Sequence, residues 1–198
     1  MTQVLRYLVR IDNAGLGASP ASISSLKRRL SALGLPKHEN IRVSRVALEL
    51  DLYEASQADL VGDLSKVEAA LGPALSVRNL SAPETPRSVD RSMALARAMY
   101  MEERFWEFHE ELEYQWKKLR RGEPEKEALH GLILLAAAYV HKQKGEEGVA
   151  LSIIGRSRAG LEAYGGDEYR GIDVTSLKRM LAEMERAGRV DYVDLPSA

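Results

Sequence analysis

The chain opens with a segment in which apolar and polar side chains alternate, a period of two that is typical of a half-buried β-strand. Residues 3–12 carry this pattern, and we predict the first strand there. Its apolar face holds Leu5, Tyr7, Val9 and Ile11, and its polar face holds Arg6 and Arg10.

Two later segments repeat their apolar residues at helical spacing. The first begins at Ser19-Pro20, an N-cap residue followed by a proline suited to the first helical position, and it ends at Gly34. The second begins at Ser56 and ends before Gly72-Pro73. We therefore predict two helices, and a short strand over residues 75–80 after the second.

The segment Ile41–Tyr53 is rich in strand-forming residues, but the parity of its apolar positions changes partway along. We interpret it as one long strand with a bulge near Ser44-Arg45. The order is then β-α-β-α-β, which predicts a small α/β domain over residues 1–82, ferredoxin-like or a related small sandwich.

Beyond the proline-containing linker at residues 81–88, the pattern is helical almost to the end of the chain. Five helices are predicted, at about 88–101, 104–120, 125–143, 146–164 and 173–187. The tail at residues 189–196 alternates again, which predicts a terminal strand that returns to the first sheet. We therefore expect an α+β protein whose second domain, residues 83–198, is an all-α bundle.

Composition narrows the classes of function. The 198 residues include no Cys and carry a net charge of −1, with both signs mixed along the chain. Thiolate chemistry and disulfides are excluded, and we expect neither nucleic acid nor a membrane as a partner. We expect a cytoplasmic protein. The long strand Ile41–Tyr53 would leave an open sheet edge, which makes a homo-oligomer an expectation as well.

The most distinctive segment is Arg104–Trp116, which contains both Trp and both Phe residues of the chain. On a helical wheel His109 falls in the apolar stripe of this segment, and Glu113 follows one turn later at its border. Such a pair suits a hydrogen bond that orients the imidazole, and it equally suits a shared divalent cation. A packed core histidine and a metal ligand therefore both remain open.

His130 is the best-placed third group. An antiparallel hairpin about Gly122 would bring it level with Glu113, whereas His141 lies too far along the same helix. His109, Glu113 and His130 could then hold zinc or manganese and leave one position for water. Trp106 and Trp116 would wall a pocket there, and Glu110 could orient an imidazole.

The helix that carries His130 also has small residues, Gly131 and Ala136 to Ala138, within an apolar sequence. Small side chains let another helix approach closely. We expect the bulky stripe of the Arg104–Trp116 helix to be the neighbour that packs against them.

The residues His109, Glu113 and Trp116, followed by LHGLILLAAAYVHKQKG and GIDV, resemble a prokaryotic family known only as domain of unknown function number 309. The resemblance covers roughly residues 91–186 and leaves the N-terminal domain unmatched. It implies a small all-α bundle with a His-x3-Glu-x2-Trp/Tyr signature suspected of binding metal. It implies no reaction.

Two functions therefore stay open from the sequence. In the first, the protein is a non-catalytic assembly or ligand-binding module in which the His-Glu-Trp motif is a buried structural feature. In the second, His109 and Glu113 serve a small metal-dependent enzyme of the hydrolase type.

Overall fold

A computed structural model describes residues 4–13, 15–35, 37–83 and 85–198. Gln3 of the predicted first strand and Glu84 of the predicted linker lie outside the described residues. The chain forms two compact units, one reaching to Thr85 and including residues 143–145, the other made of residues 86–142 and 146–198. The α+β class is confirmed, with a four-stranded sheet in the first unit and five helices in the second.

The α/β unit consists of β1 (Leu5–Asp12), α1 (Pro20–Ser31), β2 (Lys37–Val43), β3 (Ala47–Glu54), α2 (Gln57–Leu71) and β4 (Ala74–Asn79). Its sheet is antiparallel throughout, in the order β2-β3-β1-β4. Both helices begin where the sequence predicts, because the side chains of Ser19 and Ser56 accept hydrogen bonds from the first-turn N–H groups of Ser22 and Asp59.

The segment interpreted as one bulged strand is a hairpin of two strands, so the first unit has the order β-α-β-β-α-β. The Ser44 N–H donates to the carbonyl of Ala47 at 2.9 Å, and the Ser44 hydroxyl oxygen accepts from the N–H groups of Val46 and Ala47. The change of apolar parity therefore marks a tight turn. A bulge does occur, but it lies within β2, where Asn40 has φ 53°.

One face of this sheet and the two helices enclose the core of the α/β unit. The apolar side chains of β1 and β3 on this face, Tyr7, Val9, Ile11, Leu48, Leu50 and Leu52, pack with those of α1 and α2. The opposite face carries paired charges: Arg42 binds Glu49 at 3.0 Å and Asp51 at 3.3 Å. The alternation along β1 therefore places Arg6 and Arg10 on the face opposite Tyr7, Val9 and Ile11.

The second unit consists of α3 (Val89–Met101), α4 (Phe105–Trp116), α5 (Pro124–Gln143), α6 (Glu147–Tyr164), β5 (Glu168–Tyr169), β6 (Ile172–Asp173) and α7 (Val174–Ala187). Its core includes side chains from all five helices. None of the helices in the described part of the chain has the length and apolar character that crossing a membrane requires.

The C-terminal tail does not return to the sheet. Val190 is fully buried in the core of the helical unit, and Ser197 forms an isolated bridge with Ile172. The hydroxyl of Tyr100 donates to the carbonyl of Val193 at 2.7 Å. The alternation at residues 189–196 thus reflects an extended segment that binds to helices, which period two alone does not distinguish from a strand.

Candidate functional site

The buried stripe of α4 is rotated from the predicted one. Phe105, Phe108 and Leu112 are buried, whereas His109 and Trp116 are only half-buried at its border. Tyr100 of α3 fixes this orientation, because its ring lies edge-on against both phenylalanines, with centroid distances of 5.2 Å to Phe105 and 5.3 Å to Phe108.

Two carboxylates of α4, those of Glu107 and Glu111, are also buried, which was not predicted. Glu107 receives two hydrogen bonds of 2.7 Å from Arg104, and Glu111 receives two of 2.6 Å from Arg87. Such bidentate pairs satisfy a buried carboxylate. Their spacing of four residues on one helix was the available signal, but Arg87 is 24 residues from Glu111 and could not be assigned to it.

A neutral hydrogen bond joins α3 to α4 beside the second of these pairs. The Gln115 side-chain amide donates to the hydroxyl of Ser92 at 2.6 Å and to the carbonyl of Arg87 at 3.2 Å. Gln115 and Ser92 are both buried. Gln115 therefore links α4 both to α3 and to the segment that precedes α3.

The imidazole of His109 is stacked on the indole of Trp106, with the ring centroids 5.7 Å apart and the planes 9° from parallel. Partial burial lowers the pKa of His109, although Glu113 acts in the opposite direction and Lys117 adds to the lowering. Within the described part of the chain, His109 Nδ1 has no hydrogen-bond partner. His109 is thus a neutral, stacked histidine at neutral pH.

Glu113 and His130 have other neighbours. Glu113 forms an ion pair of 3.2 Å with Lys117 one turn along α4. His130 of α5 faces the ring of Trp116, with centroids 6.1 Å apart. Across the described residues no three His, Asp or Glu side chains come together in a group able to hold a metal ion. The structure therefore does not assemble His109, Glu113 and His130 into one ligand set.

Lys126 lies over the indole of Trp116, 4.3 Å from the ring centroid, so a cation covers this ring. Glu110 is half-buried on α4. His141 lies near the C-terminal end of α5 and pairs with Glu146, a position where a basic side chain interacts favourably with the helix dipole.

A cleft of about 400 Å³ lies in the α/β unit. It separates α1 from the outer strand β2 and is lined by Lys27, Ser31, His38, Glu39, Asn40 and Ile41. Its lining mixes acidic and basic groups, so it favours no single charge class of ligand.

Residues 93–153 match the model of a family described as a domain of unknown function, DUF309. The matched range contains His109, Glu113, Trp116 and His130, and it leaves the α/β unit unmatched. A comparison with curated proteins found no match.

Proposed function

We propose that this protein is a non-catalytic assembly or ligand-binding module, and that the motif of His109, Glu113 and Trp116 is a packed structural feature of its helical unit. The observation that carries the proposal is the pairing of the polar groups on α4. Glu107 and Glu111 each receive a bidentate arginine pair, and Glu113 is bound to Lys117.

Acid–base catalysis needs a titratable group that can reach a substrate together with a second group that orients or opposes it. His109 is the candidate base, but its ring is stacked on Trp106 and Glu113 is paired with Lys117. This arrangement supports a role for His109 in packing α4, and no carboxylate of the described residues lies within hydrogen-bonding distance of His109 Nδ1.

The alternative is a metal-dependent enzyme in which His109 and Glu113 hold the ion and water completes the shell. The test is elemental analysis of the purified protein, followed by thermal melting with and without added Zn²⁺ or Mn²⁺. We expect well below one equivalent of metal, and an unchanged melting temperature on addition of either ion, because only a ligand of the folded state raises that temperature.

Two variants make the outcome specific. His109→Gln removes the candidate ligand, and His141→Gln removes a half-buried histidine of the same unit that pairs with Glu146. A wild-type melting temperature that rises with metal, a rise lost in His109→Gln and kept in His141→Gln, would replace the proposal with the metal-dependent alternative.

A further inference from the structure

The two outer strands of the sheet are β2 and β4, and their outer edges differ. β4 presents Leu75 and Val77 to solvent, 52% and 38% exposed, and Arg78 is its single charged residue. β2 carries Lys37 and Glu39. Charged residues protect a sheet edge against pairing with another chain, whereas exposed apolar residues favour it. β4 is therefore the edge that is better suited to pairing.

The backbone of β4 is also regular over a longer stretch than that of β2. The bulge of β2 lies in the middle of the strand, between Glu39 and Arg42. The irregularity of β4 lies at its start, where Leu75 is the additional residue between the partners of Arg10 and Ile11. Residues 76–79 then pair with β1 in constant register. A continuous edge of four residues is available for a further strand.

The hydrogen-bond phase of β4 can be read from one bond. The Leu80 N–H donates to the carbonyl of Arg6 at 2.7 Å, which puts these two residues at a hydrogen-bonding position of the ladder, while the Arg6 N–H donates to the Ser81 hydroxyl at 2.9 Å. In an antiparallel ladder such pairs occur at every second position. Arg78 opposite Leu8 and Ser76 opposite Arg10 thus bond inward to β1, and Val77 and Asn79 direct their N–H and C=O groups outward.

We propose that β4 pairs antiparallel with β4 of a second copy of this chain, about a two-fold axis at Val77. Residues opposite one another share a face of the sheet, and a two-fold axis perpendicular to the sheet meets this condition only when it runs midway between a residue and its own copy. At Val77 the outward N–H and C=O groups meet those of the partner's Val77 and form two hydrogen bonds. An eight-stranded sheet results.

The chemistry of the strand fits this register. Val77 lies against the partner's Val77, and Arg78 lies opposite the partner's Ser76, so no like charges are directly opposed. Asn79 comes opposite the exposed Leu75 of the partner strand. This inference rests on the proposed function, because it takes the protein to be an assembly module. It adds the partner, a second copy of the chain, and the surface that binds it, the outer edge of β4.

The test measures mass by light scattering and sedimentation over a range of concentrations of the full-length protein. We expect wild type to pass from monomer to dimer as concentration rises. Val77→Pro removes the outward N–H group without removing a bond to β1, since proline is tolerated on the outer side of an edge strand. We expect it to weaken dimerisation about tenfold or more, the effect of losing two hydrogen bonds.

Val77→Lys is a second variant, which places two ammonium groups opposite each other and should weaken dimerisation most at low salt. Its control is Val46→Lys, at a valine 45% exposed in the turn between β2 and β3. Val46→Lys adds the same charge to the same unit, but in the hairpin of β2 and β3 and not on β4. This variant should dimerise as wild type does. Circular dichroism verifies that each variant is folded.

Amide hydrogen exchange locates the interface independently of mass. The amide of Arg78 should exchange slowly at every concentration, because it bonds to β1 within one chain. The amides of Val77 and Asn79 should become slower to exchange only as the dimer forms. A protein that stays monomeric at all concentrations, or a dimer that neither Val77 variant weakens, would overturn the proposed interface. The metal-binding experiment is a separate test, and its result bears only on the proposed function.

Discussion

At the scale of single residues, Gly131 of α5 shows how closely two helices approach. A Cβ atom added there would lie 2.7 Å from Leu161 Cγ and Cδ2 of α6, and 3.1 Å from the Leu161 backbone nitrogen. Gly131→Ala should therefore lower the free energy of unfolding by about 1 to 3 kcal/mol, the range for overpacking a core. The urea midpoint measures the change.

The control for this prediction is Gly148, on the first turn of α6, where an added Cβ would meet nothing within 4 Å. Gly148→Ala should leave the urea midpoint unchanged or raise it, because alanine favours the helix and restricts the unfolded chain. Equal midpoints for Gly131→Ala and wild type would mean that α5 and α6 separate more easily than the contact distances indicate.

His109 makes the stability of the protein depend on pH. Burial lowers its pKa in the folded state, so as pH falls below about 6.5, the ordinary value for histidine, the unfolded chain takes up the proton first. Its contribution to stability is thus complete above that pH and is lost as pH falls toward the folded pKa. Urea midpoints at pH 7.5 and 5.5 should differ less in His109→Gln than in wild type, and an equal difference would contradict this role.

At the scale of elements, the C-terminal tail acts as a strap across the helical unit. The Tyr139 hydroxyl donates to the carbonyl of Asp191 at 3.1 Å and accepts from the N–H of Val193 at 3.2 Å. Deleting residues 189–198 removes these bonds and the buried Val190. The free energy of unfolding should fall by about 3 to 5 kcal/mol, from one buried apolar side chain and several hydrogen bonds.

A point substitution measures the contribution of the Tyr139 hydroxyl separately from that of the whole tail. Tyr139→Phe keeps the ring that packs against Phe105, 4.6 Å between centroids, and removes both bonds to the tail. We expect a loss of about 1 to 2 kcal/mol in thermal or urea unfolding. Should tail deletion and Tyr139→Phe both leave the unfolding midpoint unchanged, the tail would not be a strap.

The helices were predictable because their ends carry local signals. Asp173 is the N-cap of α7 and accepts the Ser176 N–H at 2.8 Å, and Gly165 ends α6 with φ 75°. The turn between β2 and β3 was missed because Ser44, Arg45 and Val46 include no Gly, Asn or Asp, the residues that mark the commonest two-residue hairpin turns.

The candidate site was less predictable because distant partners determine it. A helical wheel treats the carboxylates of α4 as solvent-facing, yet Arg87, which lies before α3, binds Glu111 and helps to bury it. In the same way, Gly131 was expected to face the aromatic stripe of α4, and it faces Leu161 of α6. Periodicity identifies an apolar face, but the choice of neighbour depends on tertiary packing.

At the scale of the whole molecule, two separate hydrophobic cores suggest two units that fold independently. The buried apolar side chains of the first core lie between Tyr7 and Val67, and those of the second between Met93 and Val190. Among the residues that the structure describes, neither core includes a buried side chain from the other's range. A domain with its own core can fold alone, and about 110 residues is a common domain size.

We therefore predict that a fragment of residues 86–198 folds without the α/β unit, since it contains the whole second core and the tail that straps it. Its near-ultraviolet circular dichroism should show the fixed aromatic packing of Tyr100, Phe105 and Tyr139, and its urea unfolding should be one cooperative transition. Helical content without a near-ultraviolet signal, together with dye binding to exposed apolar surface, would indicate a molten globule instead. In that case the helical unit could fold only in the presence of the α/β unit. The boundary predicted near residue 83 would then not separate two independently folding domains.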